Sequence, residues 1–393
     1  MDDLGAWKLP DELRELQKVV RRFMETEVKP VEDKLPHDAW VVPPEQLEPL
    51  RKKARALGLW CFRTPQKYGG AGLNLLGQAV TAEEAARCRM GLYIWGAGAF
   101  GEDPPNVIWE ARPEIIEKYG IPSVEGKRKA FIALSEPSGG SDPARAIRCR
   151  AERRGDRYII NGRKLWISHS STRDWGILFA RTGEQGQRGG ISCFAVDGNA
   201  KGLSYREVKV IRSYSPYELT FEDFEVPAEN LIGQEGQGFQ VAERWLIDGR
   251  VSYAANTLGV AQAALEMAIE WANQRETFGS RLADKQAIQW MIADCEMEIR
   301  AARLLVYQSA WTGDMGQDFK IDSSIAKVMA TETAGRVVDR CIQIFGGLGV
   351  SQDLPLERWY RELRIKRIGE GPSEVHRMVV ARHLLNGGNR RVN

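Results

Sequence analysis

The chain has 393 residues, which is too long for one compact core, so two or three domains are expected. Charged residues make up 27% of it and the formal net charge is +2, which excludes a general polyanion-binding surface and predicts no nucleic-acid partner. Six cysteines without a Cys-x-x-Cys pair, and four histidines without metal-ligand spacing, predict no metal site.

The sequence shows no targeting signal and no membrane span. The N-terminal residues lack the basic and apolar regions of a signal peptide, and no apolar run reaches the length of a spanning helix. The final residues are not a peroxisomal address. We therefore expect a cytoplasmic protein.

Three segments of different hydrophobic periodicity follow one another. Helical spacing comes first, short β-rich runs follow, and helical spacing then returns. This order predicts an α+β multidomain chain with an N-terminal helical domain over 1–130, a middle β domain over 131–237 and a C-terminal helical bundle over 238–393. The close spacing of the short strands predicts an antiparallel barrel or sandwich for the middle domain.

Within the middle domain, residues 157–168 read as two β-rich runs on either side of Asn161-Gly162. An Asn-Gly pair favours the type I′ turn of a hairpin, because both central residues need positive φ. Further strands are predicted over 176–181, 190–196, 203–211 and 218–226. Helices are predicted over 238–273, 283–312, 322–345 and 372–386.

The stretch from Ala133 to Ser168 carries the most informative side chains. Ser135, Gly140 and Ser141 are turn formers, and a plain connecting loop would contain them. Their hydroxyl groups and the adjoining N–H groups also suit a phosphate or the polar edge of a ring. Trp166 could be a core aromatic, but Ser168 lies on the same strand face and adds a hydrogen-bonding group. Together these residues indicate a wall for a flavin.

Three later motifs each allow an ordinary and a functional interpretation. Arg275-Glu-Thr-Phe-Gly-Ser-Arg281 is either a solvated turn between helices or a source of an arginine for a diphosphate. Gln343-Ile-Phe-Gly-Gly-Leu-Gly349 is either a glycine-capped helix end or a close approach to a nucleotide. Glu370, between two glycines, is either a surface carboxylate or a general base on a shaped loop.

In this order and on this layout, the motifs resemble those of the acyl-CoA dehydrogenase family over nearly the whole chain. The resemblance implies a helical domain, a β-barrel and a four-helix bundle, with FAD between the barrel and the bundle. It implies cofactor contacts from five segments of the chain: Leu134, Ser135, Gly140 and Ser141; Trp166 and Ser168; Arg275, Phe278 and Gln286; Gln343, Gly346 and Gly347; and Ser373 and Glu374.

The resemblance also implies the chemistry. Glu370 matches the family's catalytic base, which takes the α-proton of an acyl-CoA while the β-hydrogen leaves as hydride to the flavin. Gly249 stands where some subfamilies carry the base instead, and glycine cannot serve. Ser141, Arg250 and Gly371 are expected to contact the substrate, and the product would be a trans-2-enoyl-CoA.

The implied partners are an electron-transfer flavoprotein and further copies of the chain. Arg275, Phe278 and Gln286 match a segment that reaches the FAD of a neighbouring subunit, so a homodimer or homotetramer is expected. Gly369 replaces a frequent aromatic residue and is expected to widen the pocket beside the base. The acyl group stays open between straight, branched, cyclic and aromatic chains. Alternatives are oxidase, monooxygenase or desulfinase chemistry on the same fold, or a non-enzymatic scaffold.

Overall fold

The computed structural model of the chain describes residues 9–186 and 189–387. The α-helices of this part, in chain order, are α1 (Asp11–Phe23), α2 (Lys29–Glu32), α3 (Pro44–Ala56), α4 (Leu75–Ala85), α5 (Pro113–Ile115), α6 (Ile121–Val124), α7 (Pro143–Ala146), α8 (Gly238–Gln274), α9 (Gln286–Asp314), α10 (Lys320–Phe345), α11 (Leu356–Lys366) and α12 (Ser373–Leu385). None of the helices described is long and apolar enough to cross a membrane.

The β-strands fall almost entirely between α6 and α8. They are β1 (Ala130–Ala133), β2 (Arg150–Arg154), β3 (Arg157–Ser168), β4 (Trp175–Arg181), β5 (Ile191–Asp197), β6 (Leu203–Glu207), β7 (Pro216–Pro227), β8 (Leu231–Ile232), and the later pair β9 (Glu276–Thr277) and β10 (Ser280–Arg281). The predicted order of helices, strands and helices is confirmed.

The chain divides into two compact units. The helical unit takes the described parts of Met1–Leu57, Leu73–Phe100 and Ile247–Asn393, and the sheet unit takes Gly58–Gly72 and Gly101–Leu246. Residues of the N-terminal helical region are therefore shared between the two units. The boundaries expected at 130/131 and 237/238 stay a prediction.

The sheet unit contains one eight-stranded sheet in the order β6-β7-β3-β2-β4-β5-β8, with β1 also beside β4. Contrary to the expected antiparallel barrel, β1 and β2 run parallel to β4, and no ladder joins β6 to β8 within the described residues. The parallel pairing is possible because a long connection containing α7 returns the chain from β1 to β2. Both faces of β4 are covered, since Trp175, Ile177 and Phe179 pack in one apolar cluster while Leu178 and Ala180 pack in another.

The hairpin predicted at Asn161-Gly162 is wrong. Residues 157–168 form the single strand β3, and the turn between β2 and β3 lies at Gly155, which has a φ of +64°. Gly162 instead sits at a bulge, where an added Cβ would come within 2.6 Å of the Cys149 Cα. The glycine therefore serves a close approach to the chain before β2 rather than a turn.

The helical unit is built around α8, α9 and α10, as the helical spacing predicted. Its core is formed by small and branched side chains such as Val260, Ala264 and Ile299, together with Val337 and Leu363. The short α11 was not predicted as a helix; it presents Leu356, Trp359 and Leu363 to this core. Helix α11 ends one residue before Arg367, and this places the loop that carries Glu370 between α11 and α12.

Candidate active site

The first predicted segment, residues 134–142, follows β1 and is hydrogen-bonded to β3. The Leu134 carbonyl accepts a hydrogen bond from Lys164 Nζ at 3.0 Å, and the Ser135 carbonyl accepts one from the Leu165 N–H at 2.9 Å. Gly140 and Ser141 are exposed, and Leu134 and Ser135 are partly exposed. The loop is therefore anchored at its start, and its far end is open at the surface of the unit.

A buried ion pair holds this loop, and sequence reasoning missed it. Lys164 Nζ lies 2.8 Å from Glu136 Oε1, and their side chains are 0% and 3% exposed. The Glu136 carboxylate also accepts hydrogen bonds from the Arg148 and Cys149 N–H groups at 2.7 and 3.0 Å. Such extra bonds make a buried ion pair tolerable, because they replace lost hydration. Lys164 stands at an inward position of a predicted strand, and this placement could have indicated a buried ion pair.

Trp166 and Ser168 are both exposed, as the flavin-wall interpretation requires. A second bulge in β3 shifts the register between Lys164 and Ile167, and Trp166 adopts a φ of +67°. Its side chain is 55% exposed while that of Ile167 is buried. Bulges re-aim side chains and are common beside active sites.

The segment at 275–286 is a small hairpin rather than an open turn between helices. Strands β9 and β10 pair on either side of Phe278 and Gly279, whose φ values are +50° and +74°. The Phe278 ring at the tip is fully exposed, and Arg275 and Gln286 are exposed as well. No described residue of the helical unit covers the Phe278 ring.

The glycines that follow Gln343 differ in whether the backbone or the packing around them requires a glycine. Gly349 is required by packing, since an added Cβ would lie 2.5 Å from the Ile342 carbonyl oxygen, and Gly346 ends α10 with a φ of +66°. Gly347 and Gly140 have neither constraint, because no described atom lies within 4 Å of an added Cβ and their φ values are not positive. Gln343 is exposed on the last turn of α10. A close approach of a ligand to the backbone is one reason for a glycine at either position, in the sheet unit for Gly140 and in the helical unit for Gly347.

The base loop, defined here as residues 367–371, carries Glu370 with a φ of +53° and Gly371 with a φ of +99°. Lys327 on α10 donates hydrogen bonds to the carbonyls of Arg367 and Gly371, at 3.2 and 2.7 Å. His376 on α12 bonds through Nε2 to the Glu370 carbonyl at 3.2 Å. Ser373 is buried at the start of α12, and Glu374 beside it is exposed.

Charged groups gather around this loop. Burial lowers the pKa of Lys327 to about 8, with the Glu370 charge acting in the opposite direction and Arg250 adding to the decrease. Burial, followed by the charges of Arg250 and Lys327, lowers the pKa of His376 to about 4. The helical unit thus brings together Glu370, Arg250 and Gly371 of the predicted site, and adds Lys327 and His376. Lys327 is the single charged residue in the apolar helical run Ile325–Ala330, and this could have indicated a buried lysine with a specific partner.

Gly369 does not leave the empty space that was expected. A Cβ added there would lie 2.5 Å from the hydroxyl of Tyr253 on α8. Lys366 Nζ lies 4.0 Å from the centroid of the Tyr253 ring and helps to hold it. The phenol of Tyr253 thus occupies the volume beside residue 369, and the expectation of a wider pocket is wrong.

Four of the predicted site residues share a rare backbone conformation. Ser141, Trp166, Phe278 and Glu370 have φ values of +42°, +67°, +50° and +53°. Non-glycine residues avoid this region, and those that adopt it are concentrated at functional sites. Within the sheet unit, the exposed hydroxyls of Ser141 and Ser168, the exposed indole of Trp166 and the unconstrained Gly140 fit a flavin nucleotide as the group to be held.

Family comparisons cover most of the described residues. The N-terminal, middle and C-terminal domains of acyl-CoA dehydrogenase match residues 10–104, 131–224 and 236–385. The mitochondrial short-chain specific acyl-CoA dehydrogenase of Rattus norvegicus is 35% identical, over 96% of this chain and 91% of its own. The 3-(aryl)acrylate reductase of Clostridium sporogenes is also 35% identical, over 94% and 97%.

Solved structures agree with these relatives. Butyryl-CoA dehydrogenase from Megasphaera elsdenii superposes with a TM-score of 0.84 at 33% identity, covering 96% of this chain and 99% of its own. A chain from work on the electron-transferring flavoprotein of Acidaminococcus fermentans has a TM-score of 0.85 at 33% identity, with coverages of 97% and 100%. The FAD complex of PigA has a TM-score of 0.86 at 26% identity, with coverages of 97% and 99%. The chain belongs to the acyl-CoA dehydrogenase family of FAD-dependent oxidoreductases.

Proposed function

We propose that this chain dehydrogenates a short-chain acyl-CoA thioester between its α and β carbons, giving a trans-2-enoyl-CoA. The observation that carries the proposal is Glu370, which the helical unit holds with positive φ between Gly369 and Gly371. Short-chain relatives at 35% identity over 96% of the chain support the choice of acyl group.

In this proposal Glu370 is the base that takes the α-proton. The carboxylate stands on the loop between α11 and α12, and Gly249 offers no competing base. The Glu370 N–H would donate to the thioester carbonyl and stabilise the charge that develops there. FAD, when bound, supplies the acceptor for the β-hydride.

Trp166 would pack on the flavin ring, while Ser135 and Ser168 would hydrogen-bond to its polar edge. Ser141 would reach the phosphates and the substrate. Arg250 and Gly371 would contact the substrate on the side of the base loop, where the Arg250 charge already acts on Lys327. Leu134, Gly140, Ser373 and Glu374 complete the proposed cofactor contacts in the same chain.

We further propose a homodimer as the smallest complete form, with a tetramer as the working assembly. The exposed Phe278 at the hairpin tip supports this, because docking on a second subunit would cover it. Arg275, Gln286, Gln343, Gly346 and Gly347 would then serve the cofactor at that interface. An electron-transfer flavoprotein would take the electrons, and the similar chain from the Acidaminococcus fermentans work supports that choice. The cytoplasm is the proposed location.

The test is anaerobic bleaching of the flavin by a panel of acyl-CoAs. We expect butyryl-CoA to bleach the flavin faster than palmitoyl-CoA or isovaleryl-CoA. Faster bleaching by 3-phenylpropionyl-CoA would move the assignment toward the aryl chemistry named for the Clostridium sporogenes relative. Bleaching by no acyl-CoA would contradict the dehydrogenase proposal and favour the oxidase, monooxygenase or desulfinase alternative.

A further inference from the structure

We infer that Lys327 and His376 are positioning residues that hold the base loop in its strained conformation, so that Glu370 stays aligned for proton transfer. The inference rests on the proposed role of Glu370. The backbone of Glu370 has a φ of +53°, in a region that glutamate disfavours. Such a conformation persists only where surrounding contacts impose it.

Lys327 supplies the first of these contacts. Its side chain is completely buried on α10, and both of its recorded hydrogen bonds go to main-chain carbonyls of the base loop. The acceptors, Arg367 and Gly371, are the first and last residues of that loop. One ammonium group therefore ties the two ends of the loop together and fixes the span that Glu370 must complete.

His376 supplies the second contact. Since a carbonyl oxygen can only accept, the Nε2 atom of His376 must carry the proton that it donates to the Glu370 carbonyl. The ring also packs tightly on the loop, because a Cβ added at Gly371 would lie 2.8 Å from His376 Nε2. Lys327 and His376 thus hold the carbonyls of two successive residues, and Glu370 cannot rotate without losing one of these bonds.

The charges that face Lys327 come from three elements and the loop itself. Glu370 lies on the loop, Arg250 on α8, Glu332 on α10 and Glu374 on α12, and all four act on the Lys327 ammonium. With a pKa of about 8, Lys327 loses its charge at the alkaline end of the useful pH range. A neutral amine donates weaker hydrogen bonds than an ammonium. The rate of flavin reduction should therefore fall as the pH rises through about 8.

The experiment measures anaerobic flavin reduction by butyryl-CoA in single turnover. In K327M and H376L we expect the limiting rate to fall by about 10- to 100-fold, the cost of a misplaced catalytic group, with FAD content and substrate affinity nearly unchanged. The change near pH 8 should be absent from K327M. Matched controls are K320M and H383Q, each two helical turns away on the same helix as its target.

Two further variants keep the test decisive if K327M does not fold. H376Q retains an N–H donor and should recover most of the rate that H376L loses, and K327A should regain rate on addition of propylammonium. Wild-type rates in both K327M and H376L, or loss in H376L with no recovery in H376Q, would overturn the inference. E370Q separates the two ideas: turnover by E370Q would contradict the base assignment itself. An inactive E370Q beside fully active K327M and H376L would remove only the positioning role.

Discussion

Individual contacts near Glu370 determine the space beside Gly369 and the protonation of His376, and residue type alone does not predict them. A glycine at position 369 predicts empty space beside the base, yet the Tyr253 hydroxyl fills that space. His376 looks titratable, yet burial among positive charges keeps it neutral. Neither effect could be predicted from the sequence, because each depends on which helix passes the base loop. The assignment of Glu370 as the base, by contrast, follows from the family resemblance and stays a prediction.

The contact between residue 369 and Tyr253 can be tested as a double-mutant cycle. Gly369→Ala should destabilise the protein by about 1–3 kcal/mol and slow turnover, because its Cβ would meet the phenol hydroxyl at 2.5 Å. Tyr253→Phe should relieve the clash, since the next ring atom would be 3.5 Å away. Thermal melts and turnover rates of the single and double variants measure the coupling. Strict additivity would show that the two residues do not touch.

The lowered pKa of His376 predicts acid sensitivity of folding. The unfolded histidine titrates near 6.5 and the folded one near 4, so between these values the unfolded chain binds a proton that the folded chain does not. The contribution is fully present above pH 6.5 and is lost as the pH falls to 4, at most about 3 kcal/mol.

Urea unfolding at several pH values measures this contribution. H376L should flatten the dependence of the free energy of unfolding on pH between 6.5 and 4, whereas the exposed His383, changed to Gln, should not. Part of the dependence should persist in H376L, because burial also lowers the pKa of His169, to about 3. An unchanged slope in H376L would show that His376 is accessible to protons in the folded state.

Among the elements, the long helices and most strands followed from periodicity, while bulges did not. Asn161-Gly162 has the composition of a turn, but the pairing of β3 with β7 continues across it. Local turn chemistry was overridden there by the ladder and by the close approach of Cys149. The bulge at Trp166 was likewise not predicted, although Trp166 and Ser168 were interpreted as part of a flavin wall. The parallel pairing of β1 depends on a long connection, which periodicity does not report.

The buried Glu136–Lys164 pair gives a prediction for the sheet unit. Lys164→Met should lower the free energy of unfolding by about 3–5 kcal/mol, because it leaves the Glu136 carboxylate buried without its cation. Combining it with Glu136→Gln should recover a large part, since the amide needs no cation. Urea unfolding of both variants is the measurement. A loss in the double variant as large as that in Lys164→Met would contradict the charge argument and indicate a packing effect.

For the whole molecule, family membership came from motif order across the chain rather than from any single site. Each of the five motifs has an ordinary structural interpretation, but their order along the chain indicates one family. The matches over 10–104, 131–224 and 236–385 confirm that family. The two compact units divide the N-terminal region after Leu57 and before Leu73, and a glycine-rich run at 69–72 marks the second of these cuts in the sequence. Domain limits of that kind depend on packing between distant segments.

The proposed assembly predicts an effect of the hairpin tip. Phe278→Asp should shift the protein toward smaller species in light scattering and lower its FAD content, because a charge would replace the ring that docks on a second subunit. Val41→Asp is the control, at another exposed apolar residue of the helical unit. If Phe278→Asp kept the wild-type mass and full FAD content, the tip would not lie at the subunit interface.

We propose Glu370 as the group that performs the proton transfer, and the dehydrogenase activity depends on this step. The most direct measurement is the anaerobic bleaching of bound FAD by butyryl-CoA in the wild-type protein and in Glu370→Gln. We predict stoichiometric bleaching by the wild type, and a variant that keeps its FAD and its yellow colour but is not reduced. Bleaching of Glu370→Gln at the wild-type rate would contradict the role of Glu370 as the base.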